Sequence, residues 1–219
     1  MGSQRFSPYT DNGGTVVAIA GDDYAIIASD TRLPNGYQIY TREQPKLFQL
    51  TSRSVLGSTG CWCDITTFVK VIQARLKGYL HDHSRIISTP ACAQLISNML
   101  YYKRFFPYYI SNILAGLDGS GQGVVYSYDP IGHCEKHMYR AGGSSCSLLQ
   151  PMLDNRIGLK NIQNANAAEW KLSKEEATKL IKDLFVSAAE RDIYCGDSVA
   201  IQIMTSSGIE NLTYELRKD

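Results

Sequence analysis

The sequence predicts an α+β fold, a four-layer αββα sandwich of two antiparallel sheets flanked by helices. Three observations predict it. Residues 15–59 read as short strands separated by turns. Helical periodicity then arrives in two separate blocks, with no regular β-α-β alternation. The length, 219 residues with 44% hydrophobic content, suits one large core better than two small ones.

The elements follow in order. Residues 1–13 are polar and turn-rich and read as a leader or arm, leaving 14–219 as a single domain. Thr15 to Ala20 reads as a strand, Gly21-Asp22-Asp23 as a turn, and Tyr24 to Ser29 as a second strand. Lys46 to Leu50 and Ser54 to Thr59 add two more. Ile65, Phe68, Val69, Ile72 and Leu76 then recur at three and four, predicting a helix from Asp64 to about Leu80. Pro90 suits the first turn of a second helix with Ala93, Ile96, Met99 and Leu100 inward, and Pro107 requires that helix to end before it. Strands follow at Tyr108 to Leu117, Gly123 to Tyr128 and His133 to Arg140. A short helix is expected over Ser145 to Leu149, with Pro151 as a kink, and a polar loop over Asn155 to Lys171. Ser173 and Glu176 have capping-box spacing ahead of a helix whose stripe is Ala177, Leu180, Ile181, Leu184, Phe185 and Ala188. Val199 to Met204 and Ile209 to Leu216 close the chain as strands.

Composition narrows the function. Basic and acidic residues balance at 22 against 21, so no basic stripe argues for nucleic acid. No apolar run reaches the length of a membrane span. The opening M-G-S-Q-R-F-S-P-Y has no apolar signal core, and Phe6 breaks the myristoylation pattern. The cysteines at 61, 63, 92, 134, 146 and 195 are expected as reduced, mostly buried thiols.

Asp30 ends the second strand and Lys46 opens the third, so both sit where strands meet turns. A buried lysine beside an aspartate tunes a nearby amine or hydroxyl, or is simply a structural ion pair. Several motifs stand in a telling order. They are D-T-R after the second strand, P-K opening the third, S-T-G at Ser58 to Gly60, the long G-L-D…D-P-x-G run from Gly116 to Gly132, and A-A-E-R-D-I-Y-C-G-D from Ala188 to Asp197. Together they resemble the proteasome beta subunits of the N-terminal-nucleophile hydrolase superfamily, from about Asn12 to the C-terminus. K-R-F-F-P-Y-Y at Lys103 to Tyr109, with S-A-A-E-R-D and the final L-R-K-D, resembles one non-catalytic branch, sixth in the beta ring.

That resemblance implies a site and its loss. Active members begin with a threonine whose hydroxyl attacks a peptide carbonyl, with its own amine, a lysine, an aspartate and a backbone amide assisting. Here the lysine matches Lys46, the aspartate Asp30, the oxyanion glycine Gly60 and the later aspartate Asp192. One helper serine is matched by Cys195 and the other by Gly142, so both hydroxyls are absent at those positions. Counting 32 residues back from Lys46 reaches Gly14, and a hairpin read as one residue longer moves the nucleophile's position to Gly13. Neither has a hydroxyl. Thr15 falls at a strand position whose side chain points elsewhere, so the Gly14-Thr15 bond resembles a cleavage site out of register.

The resemblance therefore implies a non-catalytic subunit. Its partners would be other beta subunits in a seven-membered ring, alpha-ring subunits and the opposite beta ring, with regulatory caps reached only indirectly. Cytoplasmic and nuclear location is expected, without cofactor, metal, nucleic acid or membrane. The alternatives are an active threonine protease using Thr15, and a free metal or adaptor domain. His133 and His137 lie on one strand face but roughly 13 Å apart at about 3.3 Å per residue. Cys61-Trp62-Cys63 lacks zinc-finger spacing, and His81-Asp82-His83 reads as a solvated helix end. The aromatic corner Arg104, Phe105, Phe106, Tyr108 and Tyr109 is either core or a subunit contact.

Overall fold

The computed structural model describes residues 7–159 and 172–218. Two five-stranded antiparallel sheets stack on each other. The first has the order β10-β1-β2-β11-β12 and contains β1 (Thr15–Ala20), β2 (Tyr24–Asp30), β10 (Tyr139–Gly143), β11 (Ser198–Thr205) and β12 (Gly208–Glu215). The second has the order β5-β6-β7-β8-β9, from β5 (Leu47–Gln49), β6 (Ser54–Gly60), β7 (Ile110–Leu117), β8 (Gly123–Tyr128) and β9 (Cys134–His137). A separate hairpin pairs β3 (Leu33–Asn35) with β4 (Gln38–Thr41).

Strand alternation divides the core into three apolar layers. Val16, Ala18 and Ile27 from the first sheet meet Val55, Ile113 and Val125 from the second. The opposite faces are covered by helices. Val17, Ile19, Ile26 and Ala28 pack under α3 (Cys146–Arg156) and α4 (Lys174–Ala189) through Leu149, Ile181, Leu184 and Phe185. Leu56, Ile110 and Leu114 pack under α1 (Trp62–His83) and α2 (Thr89–Tyr102) through Phe68, Ile72, Ile96 and Leu100. The four-layer sandwich is thus the observed architecture.

Local chemistry sets the helix starts. Ser173 accepts the Glu176 amide while the Glu176 side chain accepts the Ser173 amide, closing the expected capping box. Ser88 caps α2, with Pro90 in its first turn.

Three expectations need correction. Residues 133–140 are not one strand. The run breaks at Met138, with β9 in one sheet and β10 in the other, so the chain crosses the sandwich there. The β3–β4 hairpin lies in a stretch to which the sequence reading assigned no element, because Pro34 and Gly36 interrupt its alternation. The helix expected over Ser145 to Leu149 runs to Arg156 with Pro151 inside it. Its missing amide deprives only the carbonyl of Ser147, an exposed position where water can substitute. The loop expected over Asn155 to Lys171 therefore starts later, and its 160–171 portion lies outside the described residues.

Candidate functional site

The site forms where β1, β2, β5 and β6 converge. β2 ends on Asp30, which is fully buried, and Lys46 enters just before β5 with 1% exposure. The Lys46 ammonium donates to both Asp30 oxygens at 2.8 Å and to the Arg32 carbonyl at 2.5 Å. Its three donors are thereby matched by three acceptors. Asp30 Oδ1 also accepts the Thr15 amide at 2.8 Å. Burial pushes the Asp30 carboxyl above its ordinary value, and the Lys46 charge and hydrogen bonds offset only part of that rise.

The backbone entering β1 faces this pair. Gly14 has φ +89°, and a Cβ built there would lie 2.5 Å from Lys46 Nζ. Gly13 has φ +57°, and its Cβ would instead meet the Tyr194 side chain, 2.7 Å from that residue's own Cβ. The β1–β2 register runs without a bulge from Val16↔Ser29 to Ala20↔Ala25. The residue addressing Lys46 is thus Gly14, the position reached by direct counting, and the shift to Gly13 made in the sequence count does not match the geometry.

Thr15 lies on the other face of β1. Its hydroxyl is fully buried, 3.5 Å from Ser144 Oγ, and accepts the Ser145 amide at 3.3 Å. It also contacts the buried Cys195 thiol, whose pKa burial and the Asp30 charge push up. Thr15 points toward the α3/α4 layer, as strand alternation predicted.

Gly60 closes the far wall. Its amide donates to the Gly13 carbonyl at 3.2 Å, and its carbonyl accepts the Asn12 amide at 3.2 Å. The donor that matches the oxyanion amide is therefore already engaged by this chain's own backbone.

Asp192 accepts hydroxyl hydrogen bonds from Ser144 at 2.6 Å and Ser145 at 2.5 Å, and the Tyr194 amide at 2.9 Å. Motif matching assigned one helper position to Gly142 and found no hydroxyl. Gly142 packs on Ile113 and Ser111, and the hydroxyls come from Ser144 and Ser145 in the same turn. The S-S pair after G-G was the available signal.

Sequence reasoning also missed the Asp197 cluster. Arg32 Nε donates to Asp197 at 2.8 Å, Arg42 contacts its other oxygen, and Arg32 Nη1 reaches the Ile193 carbonyl at 3.1 Å. Burial raises the Asp197 carboxyl, but the two arginines outweigh it and hold the group below its ordinary value. A depressed carboxyl stabilises the fold above its unfolded value of about 3.9, and that contribution disappears as pH falls through the lower folded value. Urea midpoints measured from neutral pH into acid should therefore drop for the wild type below about pH 4. Asp197→Asn should be less stable at neutral pH and flatter in acid. Parallel acid limbs would exclude this assignment.

The remaining candidates separate. His133 and His137 both reach the Glu135 carboxylate, at 2.9 Å and 3.4 Å. Among the described residues, no group of three or more His, Cys, Asp or Glu side chains is arranged to hold a metal. All six cysteines are free, with Cys61, Cys92 and Cys195 buried, Cys134 and Cys146 half-buried and Cys63 exposed. No helix among the described residues is long and apolar enough to cross a membrane. The aromatic corner divides: Tyr108 packs on Phe68 at 5.2 Å between centroids, whereas Phe105 is 92% exposed beneath the Arg104 guanidinium.

With this geometry in view, a family model described as proteasome subunit matches residues 10–204. The chain belongs to the proteasome beta-subunit family. It is 58% identical to proteasome subunit beta type-1 of Drosophila melanogaster, over 98% of this chain and 91% of that one. Identity is 49% to proteasome subunit beta type-1 of Danio rerio, covering 98% and 90% of the two chains. It is 47% to the protein of that name from Arabidopsis thaliana, covering 98% and 97%. The family resemblance of the sequence motifs, and the sandwich they implied, agree with these matches.

Proposed function

We propose that this beta subunit is a non-catalytic member of the 20S proteasome core, with Gly14 standing where active members carry the nucleophile. The observation that carries the proposal is the glycine against Lys46 Nζ, in a position with no room for a side chain. Two further contacts support it. Lys46 is saturated by Asp30 and Arg32, and the Gly60 amide is taken by the Gly13 carbonyl. The Thr15 hydroxyl lies on the opposite face of β1, where it accepts the Ser145 amide.

In this reading the work of the chain is structural. Residues 14–219 fill one position in a seven-membered beta ring, with contacts to neighbouring beta subunits, the alpha ring and the opposite beta ring. It forms part of the wall of a chamber in which other subunits cut peptide bonds, in the cytoplasm and the nucleus. Arg104 and Phe105 remain candidates for the subunit contact, since exposed aromatic and arginine side chains suit interface hot spots.

An activity probe with an epoxyketone warhead, which captures an N-terminal threonine, tests the reading. Applied to the native assembly, it should label other beta subunits and leave this chain unlabelled. Label on this chain would favour the alternative, an active protease using Thr15.

A further inference from the structure

The chain contains two Asn-Gly pairs, Asn12-Gly13 and Asn35-Gly36, and the fold treats them oppositely. In such a pair the glycine amide can attack the preceding carboxamide with no side chain of its own to hinder the approach. At Asn12 both partners of that attack are held. Asn12 is 7% exposed, and its side chain donates to the Pro34 carbonyl at 2.9 Å and accepts the Trp62 amide at 3.0 Å. The Gly13 amide is engaged as well, donating to the Asp11 carboxylate at 2.8 Å. Asn35 is placed differently, half-buried at the tip of the β3–β4 hairpin. Gly36 has φ +58°, as a two-residue turn with glycine first requires, and a Cβ built on it would meet nothing within 4 Å. Its amide has no hydrogen-bond acceptor among the described residues. Tyr37 beside it is 99% exposed. The Asn35 carboxamide donates to the hydroxyl of Tyr40 at 2.6 Å, and Tyr40 is itself 60% exposed. The hairpin is a two-stranded sheet of its own, three residues against four, so neither large sheet braces it.

We propose that Asn35 is a site of spontaneous deamidation, which converts the hairpin tip to aspartate or isoaspartate as the subunit ages. The Gly36 nitrogen loses its proton to water and attacks Asn35 Cγ. The Cγ–Nδ2 bond breaks, the amide group leaves as ammonia, and a cyclic succinimide is left. Water then opens the ring at either carbonyl. One opening restores the main chain with an aspartate side chain, and the other routes the main chain through the side chain as isoaspartate. The sum is one water consumed and one ammonia released, with no oxidant or reductant required. Residue 35 thereby loses the donor it offers Tyr40 and gains a negative charge. Isoaspartate also lengthens the backbone by a methylene opposite Gln38, the register partner of Asn35, and so breaks the β3–β4 pairing. The next residue toward the base is Pro34, whose carbonyl holds Asn12, so the change reaches the contact that protects the other pair. The free α-carboxylate of isoaspartate is the group on which an isoaspartyl carboxyl methyltransferase acts.

Peptide mapping by mass spectrometry tests it, on the native assembly held at mildly alkaline pH and sampled over weeks. The tryptic peptide 33–42 should gain about 1 Da, the exchange of an amide NH2 for OH, and should accept methyl label from an isoaspartyl methyltransferase. The peptide holding Asn12 should convert at least about tenfold more slowly, since a buried hydrogen bond of ordinary strength must first be broken there. In the urea-unfolded chain the two peptides should convert at similar rates, because the contacts that protect Asn12 are gone. Asn35→Gln should abolish the shift in peptide 33–42, since the longer side chain no longer closes the same ring. A peptide 33–42 that stays unchanged in the native assembly would overturn the proposal, as would an Asn12 that converts as fast as Asn35. An Asn12 that stays slow in the unfolded chain would overturn it too, since the contrast would then owe nothing to the fold.

Discussion

Lys46→Met should destabilise the chain by about 3–5 kcal/mol, the usual cost of stranding one member of a buried ion pair. Asp30 would keep the Thr15 amide and lose both ammonium contacts while remaining fully buried. Asp30→Asn should cost a comparable amount, because Lys46 would then be a buried cation with only neutral acceptors. The double variant Asp30→Asn/Lys46→Met should cost clearly less than the two single changes added together, since neither charge is left alone. Urea unfolding of the full chain and the yield of variant incorporated into the assembly read the same effect. If the pair existed for catalysis alone, these changes would leave stability near the wild-type value.

Gly14→Thr should not restore a protease. Adding the nucleophile type that active members use is the obvious repair, but the backbone forbids it. A residue other than glycine at φ +89° costs about 1–3 kcal/mol in strain. Its Cβ would also sit 2.5 Å from Lys46 Nζ. A lysine terminus normally yields cheaply, but this one is held by Asp30 and Arg32 in the core. The new hydroxyl would meet an ammonium with no donor to spare and an oxyanion amide already engaged. Gly14→Ala should cost nearly as much as Gly14→Thr, because the penalty belongs to Cβ and not to the hydroxyl. Unfolding midpoints of both variants check this. Release of the arm from a Gly14→Thr chain, seen by mass, would mean that the site had merely lost a hydroxyl.

Much of this was legible before any coordinates. Strands such as β1, β2, β6 and β7 have both faces buried by neighbours, so their apolar runs are dense and their limits clear. α1 and α4 declare themselves because one stripe meets a sheet and the other face meets solvent. The break at Met138 was hidden, since no proline, glycine or other turn residue marks the point where the chain changes sheets. The Asp30–Lys46 pair was visible because both residues sit at strand ends within resembling motifs. Gly13 against Gly14 was a question of strand parity, which counting across a turn leaves open and the direction of a Cβ decides. Ser144, Ser145 and the Arg32–Asp197–Arg42 cluster needed contacts between residues far apart in sequence, and no local pattern encodes them.

A non-catalytic subunit requires that the chain between the arm and β1 remain whole. The intact mass of this subunit, taken from its purified native assembly, tests that directly. A mass that includes Gly13 and Gly14 leaves Thr15 without a free amine and agrees with a structural subunit. A mass beginning at Thr15 would mean that the Gly14-Thr15 bond is cut, contradict the non-catalytic reading and require the chain to be assayed as a protease.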